Sequence, residues 1–411
     1  MKVRIDSPWL NILIPALIIR LIFAAFFFHP DIKSQHFHAQ FLSRGIADIY
    51  SFIGQNKARL PYTDSFNYPP LAYYFLGSWD KIAGWIIGPQ TLGSWLNDWG
   101  PLGYFNSRMF EIMLVLKLPY LLFDLACGLL LAKFITEKKH RRLLIIFWFY
   151  NPVTLYAVYM LSQFDIVCAF LTVAALYLIK DRKNSCAALL LGLGAALKTY
   201  PLLLMPFLLF RSRNLKQFII SAMAFITAFI FPMLPVLNSN DYRYTMTHSN
   251  LMQGIFISGL EVSPTQRIPY YVLVYALMLV YSWFSRQRSD VTPEFLVTTF
   301  YVILLSPFHA QWIVWSMPFI ALLWTRLPSS RRWLIYICLL SYFAVSWLTP
   351  DQYVFLGLFS PLNSQSVMFP ALSEMIKLFI DPWLLQGLFQ AILTGSGIWL
   401  TYFLWKSYAS E

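Results

Sequence analysis

Charged residues are scarce in this chain of 411 residues. They make up 12% of it, whereas a soluble domain has about 25% to cover its surface. Nucleotide-binding loops are also missing, since neither a GxxxxGK[ST] segment nor a strand-borne GxGxxG occurs and no polar stretch is long enough for a nucleotide-binding domain. These absences argue against a soluble fold, an ATPase subunit and a soluble-type nucleotide-sugar enzyme. Cysteine is rare too, and all four cysteines lie in apolar runs, which predicts small core residues without disulfides.

Hydrophobic residues are abundant instead. They make up 58% of the chain, aromatic residues make up 18%, and the mean hydropathy is +0.57. Apolar runs near 20 residues are long enough to cross a bilayer. The sequence therefore predicts an all-α, polytopic transmembrane bundle forming a single domain over 1–411, with its first span retained rather than cleaved as a signal peptide. The ten predicted spans cover residues 9–28, 109–132, 143–160, 165–179, 217–237, 268–284, 293–306, 312–325, 332–348 and 383–405.

The stretch 185–210 has a different pattern. Two apolar pieces of about 12 residues, each about 18 Å long as helix, flank Lys198-Thr199-Tyr200-Pro201. Basic residues bracket the stretch at both ends. This predicts a hairpin of two short helices with Lys198 at its far tip. If the stretch crossed the bilayer only once, every later loop would change sides.

The basic residues also predict the orientation. They concentrate in short loops, which the positive-inside rule places in the cytoplasm together with both termini. The net charge of +12 is thus explained by orientation rather than by nucleic acid. The long connections 29–107, 238–267 and 349–382 are then outer loops, the first carrying interfacial helices. We expect an integral plasma-membrane protein, or an ER-membrane protein in a eukaryote, with its polar chemistry on the extracytoplasmic side.

Asp31 follows the first predicted span directly. A carboxylate at the membrane surface beside apolar walls is placed to act as a general base, and the alternative is an interfacial acid in water. Together with Asp31, the histidines His29, His36 and His38 invite a metal interpretation. However, His36 and His38 are two residues apart and would point about 200° apart on a helix, so hydrogen-bonded or solvated histidines are the favoured interpretation.

Four charged residues lie in the second predicted span or directly before it. Arg108 and Glu111 are three apart and can pair near the outer end. Lys117 and Asp124 are about 10 Å apart along a helix axis, too far for a direct pair. Because intramembrane charges are costly and face the bundle interior, these charges predict pairing between helices.

Further polar residues are predicted on the same outer face as Asp31. Such a group offers cationic and amide donors of the kind that bind an anionic phosphate. Its members are Gln163 and Asp165 between two spans, Lys198 at the hairpin tip, His309 and Gln311 in a tight turn, and Arg267 in a long loop.

Several motifs follow one another in a recognisable order. They are Arg20 with Asp31, residues 45–50 followed by Tyr68-Pro69-Pro70-Leu71, Arg108 with Lys117 and Asp124, Asn151-Pro152 with Gln163-Phe164-Asp165, Gly192-Leu193-Gly194 with Lys198-Thr199-Tyr200-Pro201, and His309 with Gln311. In these motifs, which cover most of the chain, the sequence resembles the GT-C superfamily of integral-membrane glycosyltransferases. It is similar both to bacterial mannosyl- and arabinofuranosyl-type transferases and to dolichyl-phosphate-glucose α-1,3-glucosyltransferases.

The resemblance implies a reaction and a set of roles. It implies transfer of a hexose, mannose being favoured, from a polyprenyl-phosphate carrier to a lipid-linked or glycan acceptor with inversion. Asp31 would be the base. The donor phosphate would bind Lys198, Arg267, His309 and Gln311, and Tyr68, Gln163 and Asp165 would position substrate. No cofactor is implied, and Lys33 stands where some families carry the second acid of an Asp-x-Asp pair, which disfavours a metal-dependent member.

Two other classes fit a basic polytopic chain. A lipid or sugar transporter or flippase predicts polar residues strung through the membrane depth, and this chain concentrates them on one face. A polymerase or ligase of surface polysaccharide would share the outer site, but the Tyr68-Pro69-Pro70-Leu71 and Gln163-Phe164-Asp165 segments do not suggest it.

Overall fold

The fold is an almost entirely helical bundle. The computed structural model describes residues 7–99, 106–248, 250–288 and 290–409; the predicted cytoplasmic N-terminus, 1–6, lies outside them. Within these residues the α-helices are α1 (Ser7–Phe26), α2 (Pro30–Ser43), α3 (Ile49–Asn56), α4 (Pro70–Ile87), α5 (Pro89–Asn97), α6 (Met109–Leu131), α7 (Lys138–Tyr150), α8 (Pro152–Leu155), α9 (Asp165–Lys180), α10 (Asn184–Leu197), α11 (Met205–Phe210), α12 (Leu215–Ile230), α13 (Asn240–His248), α14 (Asn250–Ile257), α15 (Tyr270–Phe284), α16 (Thr292–Leu305), α17 (Ile313–Arg326), α18 (Trp333–Trp347), α19 (Leu372–Ile376) and α20 (Pro382–Ala409).

The ten predicted spans all fall on helices. Five stretches in the described part of the chain are long and apolar enough to cross a membrane: Trp9–Phe26, Met109–Phe134, Lys138–Met160, Leu215–Val236 and Pro382–Lys406. The remaining apolar helices are shorter. The all-α, polytopic membrane class predicted from the sequence is confirmed.

One outer segment differs from expectation. The stretch 238–267, predicted only as a loop, contains α13 and α14, and a two-stranded antiparallel hairpin follows, β1 (Gly259–Ser263) and β2 (Gln266–Pro269). The outer stretch 349–382 holds only short helical turns and α19. Among the cysteines, Cys186 is exposed rather than part of the core, because it lies outside the buried face of α10.

Helix α10 and the chain after it fold back on each other. The chain is extended at Lys198, then forms a tight helical turn over Tyr200–Leu204 that continues into α11. The Asn184 side chain donates a hydrogen bond to the Arg211 carbonyl at 3.2 Å. The two ends of the 185–210 segment therefore lie together, and Lys198 lies at the opposite tip.

A buried ion pair joins the first two spans. Arg20 of α1 donates to Asp124 of α6 at 2.6 Å, and both side chains are fully buried. Trp148 and Tyr159 each donate to the same carboxylate at 2.8 Å. Breaking such a pair by removing one partner leaves an uncompensated buried charge and costs about 3–5 kcal/mol. Pairing between helices, predicted for the charges of the second span, is thus confirmed at Asp124.

Lys117 supports the outer end of the same region. Its ammonium donates to the Phe27 carbonyl at 2.6 Å and to the Tyr159 carbonyl at 2.8 Å. These carbonyls lie just past the end of α1 and in an irregular turn after α8. Lys117 thus ties together the two segments that lead to Asp31 and Gln163. Arg108 and Glu111 pair with each other near the surface, as predicted.

Helix α2 packs against α4 in the first outer loop. A Cβ at Gly77 would lie 2.5 Å from the Ala39 carbonyl oxygen, so only glycine permits this close approach. His36 Nδ1 lies 2.5 Å from an Asp80 oxygen, and His38 Nε2 lies 2.9 Å from the Asp64 carbonyl. These histidines bind protein groups on different sides of α2, in agreement with the hydrogen-bonded interpretation.

His38 makes the stability of this loop sensitive to acid. Burial lowers the pKa of His38 from 6.5 to about 4, although its hydrogen bond to Asp64 opposes the change. Because the unfolded chain binds the proton near pH 6.5 and the folded chain only near pH 4, stability present above pH 6.5 is lost as the pH falls toward 4. We expect the melting temperature in detergent to fall over this interval, and to fall less in His38→Gln, whose amide can still donate to Asp64. His140→Gln, at an exposed pair with Glu137, is the control, and equal acid sensitivity in all three proteins would contradict the assignment to His38.

Candidate functional site

Asp31 lies in the first turn of α2. His29 precedes that helix, and its Nδ1 accepts the Asp31 backbone N–H at 3.2 Å, which places the proton of the neutral ring on Nε2. Pro30 then starts the helix, a position where its missing N–H costs nothing. The Asp31 side chain keeps an exposed fraction of 37%. The carboxylate is therefore fixed by its backbone but remains accessible.

An irregular turn brings Gln163 to Asp31. After α8, residues 156–160 form a wide helical turn with hydrogen bonds between residues five apart, from Leu161 to Tyr156 and from Gln163 to Val158. Ser162 follows with a left-handed φ of 58°. Wide turns of this kind are frequent at functional sites. Here the result is that Gln163 Nε2 donates to Asp31 Oδ2 at 2.7 Å. His29 Nδ1 lies 3.5 Å from Oδ1 but accepts the Asp31 N–H, so Oδ1 accepts no hydrogen bond from a described residue.

Gln35 extends this network to Tyr68. It stands four residues after Asp31 and so lies on the same face of α2. Its amide nitrogen lies 3.3 Å from the Tyr68 hydroxyl and 3.4 Å from Gln163 Oε1. Burial, and secondarily the negative charges of Asp31 and Asp165, raise the pKa of Tyr68 well above its usual value, so its phenol stays neutral. Gln35 was missed from the sequence, although its spacing from Asp31 could have suggested it.

Lys198 and Asp165 form a second buried pair. Lys198 Nζ donates to Asp165 Oδ2 at 2.6 Å, and Trp315 Nε1 donates to Asp165 Oδ1 at 2.5 Å. Tyr68 presents its ring to the ammonium, 4.8 Å from the ring centroid. An ammonium has three donors, and the described residues accept only this one hydrogen bond from it. Asp165 thus acts as the counter-ion of Lys198, and Trp315 is another residue that sequence reasoning missed.

A largely apolar cavity of about 230 Å³ opens beside Lys198. Lys198, Thr199, Tyr68 and Asn67 are the lining residues with charged, hydroxyl or amide groups apart from Tyr200. The other lining residues are aromatic or aliphatic: Pro69, Tyr200, Leu202, Leu203, Ile255, Val302, Trp312 and Trp315. The cavity therefore offers an apolar volume with a cation at its edge.

His309 lies within electrostatic reach of both Lys198 and Asp31. Burial lowers its pKa from 6.5 to about 4; the Lys198 charge lowers it as well, whereas the Asp31 charge raises it. The ring lies against Trp312, with centroids 4.4 Å apart. His309 is therefore a neutral group at physiological pH, able to donate one N–H.

The two remaining predicted residues, Gln311 and Arg267, form no hydrogen bond with the other candidate site residues in the described part of the chain. Gln311 shares the His309 turn and is half-buried, and it forms no side-chain hydrogen bond in the described part of the chain. Arg267 lies on β2, where its half-exposed side chain binds Glu261 and the Ile257 carbonyl at 2.7 Å. No hydrogen bond or ion pair among the described residues joins Arg267 to Lys198, His309 or Asp31.

No group of three or more histidine, cysteine, aspartate or glutamate side chains suited to a metal ion occurs in the described ranges. Lys33, at the position of the missing second acid, donates to the Asp98 carbonyl at 2.5 Å, and burial lowers its pKa to about 8. Independence of metal remains a prediction.

Comparison with known families decides the class. The family model of glycosyltransferase family 87 matches residues 100–350, more than half of the chain. The chain belongs to this family. Family 87 comprises membrane glycosyltransferases of the GT-C type that use polyprenyl-linked donors, so the recognition made from the sequence motifs is confirmed. No curated protein matches the chain.

The family 87 match covers only part of the candidate site. Gln163, Asp165, Lys198 and His309 lie inside the matched range, whereas Asp31 and Tyr68 precede it. The hydrogen bond from Gln163 to Asp31 therefore connects the family region to the first outer loop. Membership establishes a membrane glycosyltransferase and gives no support to the transporter alternative.

Proposed function

We propose that this family 87 member transfers a hexose, mannose by preference, from a polyprenyl-phosphate carrier to a lipid-linked or glycan acceptor on the extracytoplasmic face. The observation that carries the proposal is the arrangement around Lys198. The Lys198 ammonium lines an apolar cavity, and the neutral imidazole of His309 lies within electrostatic reach of both this ammonium and the accessible Asp31 carboxylate.

In the proposed function the sugar donor binds both Lys198 and the apolar cavity beside it. A polyprenyl phosphate has an apolar chain and an anionic head, and the cavity offers Leu202, Leu203 and Ile255 to the first and Lys198 to the second. Lys198 has donors left after its bond to Asp165, and the neutral His309 contributes one more N–H. Gln311 and Arg267 stay as candidate donor ligands, with Arg267 reaching the phosphate only if its bond to Glu261 opens.

Asp31 is the proposed general base for the acceptor hydroxyl. Its Oδ2 is held by Gln163 and its Oδ1 is free to accept the proton of a sugar hydroxyl. As that proton moves to Oδ1, the hydroxyl oxygen forms its bond to the anomeric carbon on the face opposite the phosphate. Direct displacement of this kind inverts the anomeric centre.

The leaving group takes the bonding electrons. The bond between the anomeric carbon and the phosphate oxygen breaks, and polyprenyl phosphate departs with increased negative charge. Donors placed where charge develops lower the barrier most, and Lys198 and His309 have this role in the proposal. Tyr68, Gln163 and Asp165 hold the base and the lysine in place, and no cofactor is required because the donor already carries the free energy of transfer.

A donor panel tests the proposal. Purified protein in lipid would be given radiolabelled polyprenyl-phosphate mannose, glucose or arabinofuranose with a crude glycan or lipid acceptor extract. We expect label to pass from the mannose donor into a new product. Transfer from the glucose or the arabinofuranose donor alone would show that mannose is the wrong sugar. Absence of transfer from every donor, with acceptor present, would refute the proposed glycosyl transfer.

A further inference from the structure

A cleft lined by arginine lies at the face opposite the candidate site. It forms where three connections meet: the turn after α9, the turn after α11 and the turn after α15. Arg182, Arg211, Arg213, Arg286 and Arg288 line it, together with amide side chains, around a volume of about 30 Å³. Lys198 lies at the other end of α10, which has 14 residues and is thus about 21 Å long.

The cleft holds more positive charge than its own acids balance. Arg211 is neutralised by Glu294, and both side chains are almost fully buried. No acidic side chain is among the described residues that line the cleft. Arg182 and Arg213 form no side-chain hydrogen bond with a described residue, so their guanidinium donors are free for an anion. Four cations converging without counter-ions repel one another unless an anion joins them.

The surroundings of the cleft are strongly apolar and open to the outside. Leu215 and Phe218, at the start of α12, have exposed fractions of 72% and 40%, and Trp283 and Phe284, at the end of α15, have 50% and 79%. On these helix ends such side chains contact lipid chains. An anion that fits both features has an acidic head and hydrocarbon tails.

We propose that this cleft is a binding site for an anionic phospholipid of the inner leaflet. Its phosphate diester lies between Arg182 and Arg213, and its acyl chains lie along the exposed ends of α12 and α15. Basic clefts between membrane helices on the cytoplasmic side bind such headgroups. The site is separate from the sugar-transfer chemistry, and it does not depend on the proposed donor.

Native mass spectrometry tests the proposal with defined lipids. The protein in detergent is titrated with phosphatidylglycerol or phosphatidylcholine of equal chain length. We expect wild type to prefer phosphatidylglycerol, and Arg182→Gln/Arg213→Gln to bind it about 30-fold more weakly, since each basic residue near a membrane surface contributes about 1 kcal/mol. Arg182→Lys/Arg213→Lys, which keeps the charge but not the forked donors, should lose less.

The control removes equal charge elsewhere on the same predicted face. Lys138 and Lys139 start α7 and are exposed, so Lys138→Gln/Lys139→Gln should keep the wild-type preference. An equal loss in both glutamine pairs, or none in the arginine pair, would overturn the site. Thermal stabilisation of wild type by inorganic phosphate as large as that by phosphatidylglycerol would overturn the lipid assignment.

Discussion

Asp31→Asn is expected to lower the rate of sugar transfer by about 10²- to 10⁴-fold, the usual contribution of a general base, while the protein stays folded. The asparagine Oδ1 can still accept the Gln163 amide hydrogen that now binds Asp31 Oδ2 at 2.7 Å. The side chain is accessible, so the substitution does not bury a new unpaired group. What the variant loses is the ability to take the acceptor proton. Initial rates with saturating donor and acceptor measure this loss.

Asp64→Asn is the matched control for Asp31. Asp64 is an exposed acid of the same outer loop, and among the described residues its side chain accepts a hydrogen bond only from the Tyr62 hydroxyl, at 2.8 Å. Its variant should keep near wild-type activity. If Asp31→Asn retained full activity with an unchanged melting temperature, the base would have to be sought elsewhere. Asp165 is poorly placed for that role, because Lys198 and Trp315 occupy both of its oxygens.

Lys198→Ala is expected to raise the apparent KM for donor by about tenfold or more while changing the acceptor KM little. A hydrogen bond to a charged group contributes about 1.5–3 kcal/mol, and in the proposed function Lys198 binds only the donor phosphate. The same substitution also leaves Asp165 buried without its counter-ion, which is strongly destabilising. Steady-state kinetics with each substrate varied in turn separate the two KM values.

The double variant Lys198→Met/Asp165→Asn separates binding from stability. It removes both charges of the buried pair at once, so it should fold better than Lys198→Ala and still bind donor poorly. Asp165→Asn alone, which keeps the ammonium, should retain more of the donor affinity. An unchanged donor KM in the folded double variant would remove Lys198 from the phosphate site and leave it a structural role.

Much of the site could be predicted because polar residues are informative in so apolar a chain. Five of the predicted polar residues stand out against long hydrophobic runs: Asp31, Gln163, Asp165, Lys198 and His309. In the structure they are neighbours, because Gln163 binds Asp31, Lys198 binds Asp165, and the charges of Lys198 and Asp31 both act on His309. Positive charge in the short loops also predicts which ends of the helices face the cytoplasm, and this sidedness stays a prediction.

The rest could not be predicted, for physical reasons. Gln163 reaches Asp31 only through a wide turn and a left-handed Ser162, and neither has a sequence signature. The neutral state of His309 depends on burial and on the nearby Lys198 charge, which are tertiary properties. Arg267 has the positive charge that a phosphate site needs, but it forms an ion pair with Glu261 on the opposite strand of a β-hairpin. The sequence pattern, which is helical almost throughout, did not predict that hairpin.

The anomeric configuration of the product tests the account most directly. Polyprenyl-phosphate mannose of one defined anomer would be supplied to wild-type protein in lipid vesicles, and the new linkage would be determined by NMR. The account predicts a product of opposite configuration, formed about 10²- to 10⁴-fold more slowly by Asp31→Asn than by wild type. Retention of configuration, or equal product from Asp31→Asn, would contradict direct displacement assisted by Asp31.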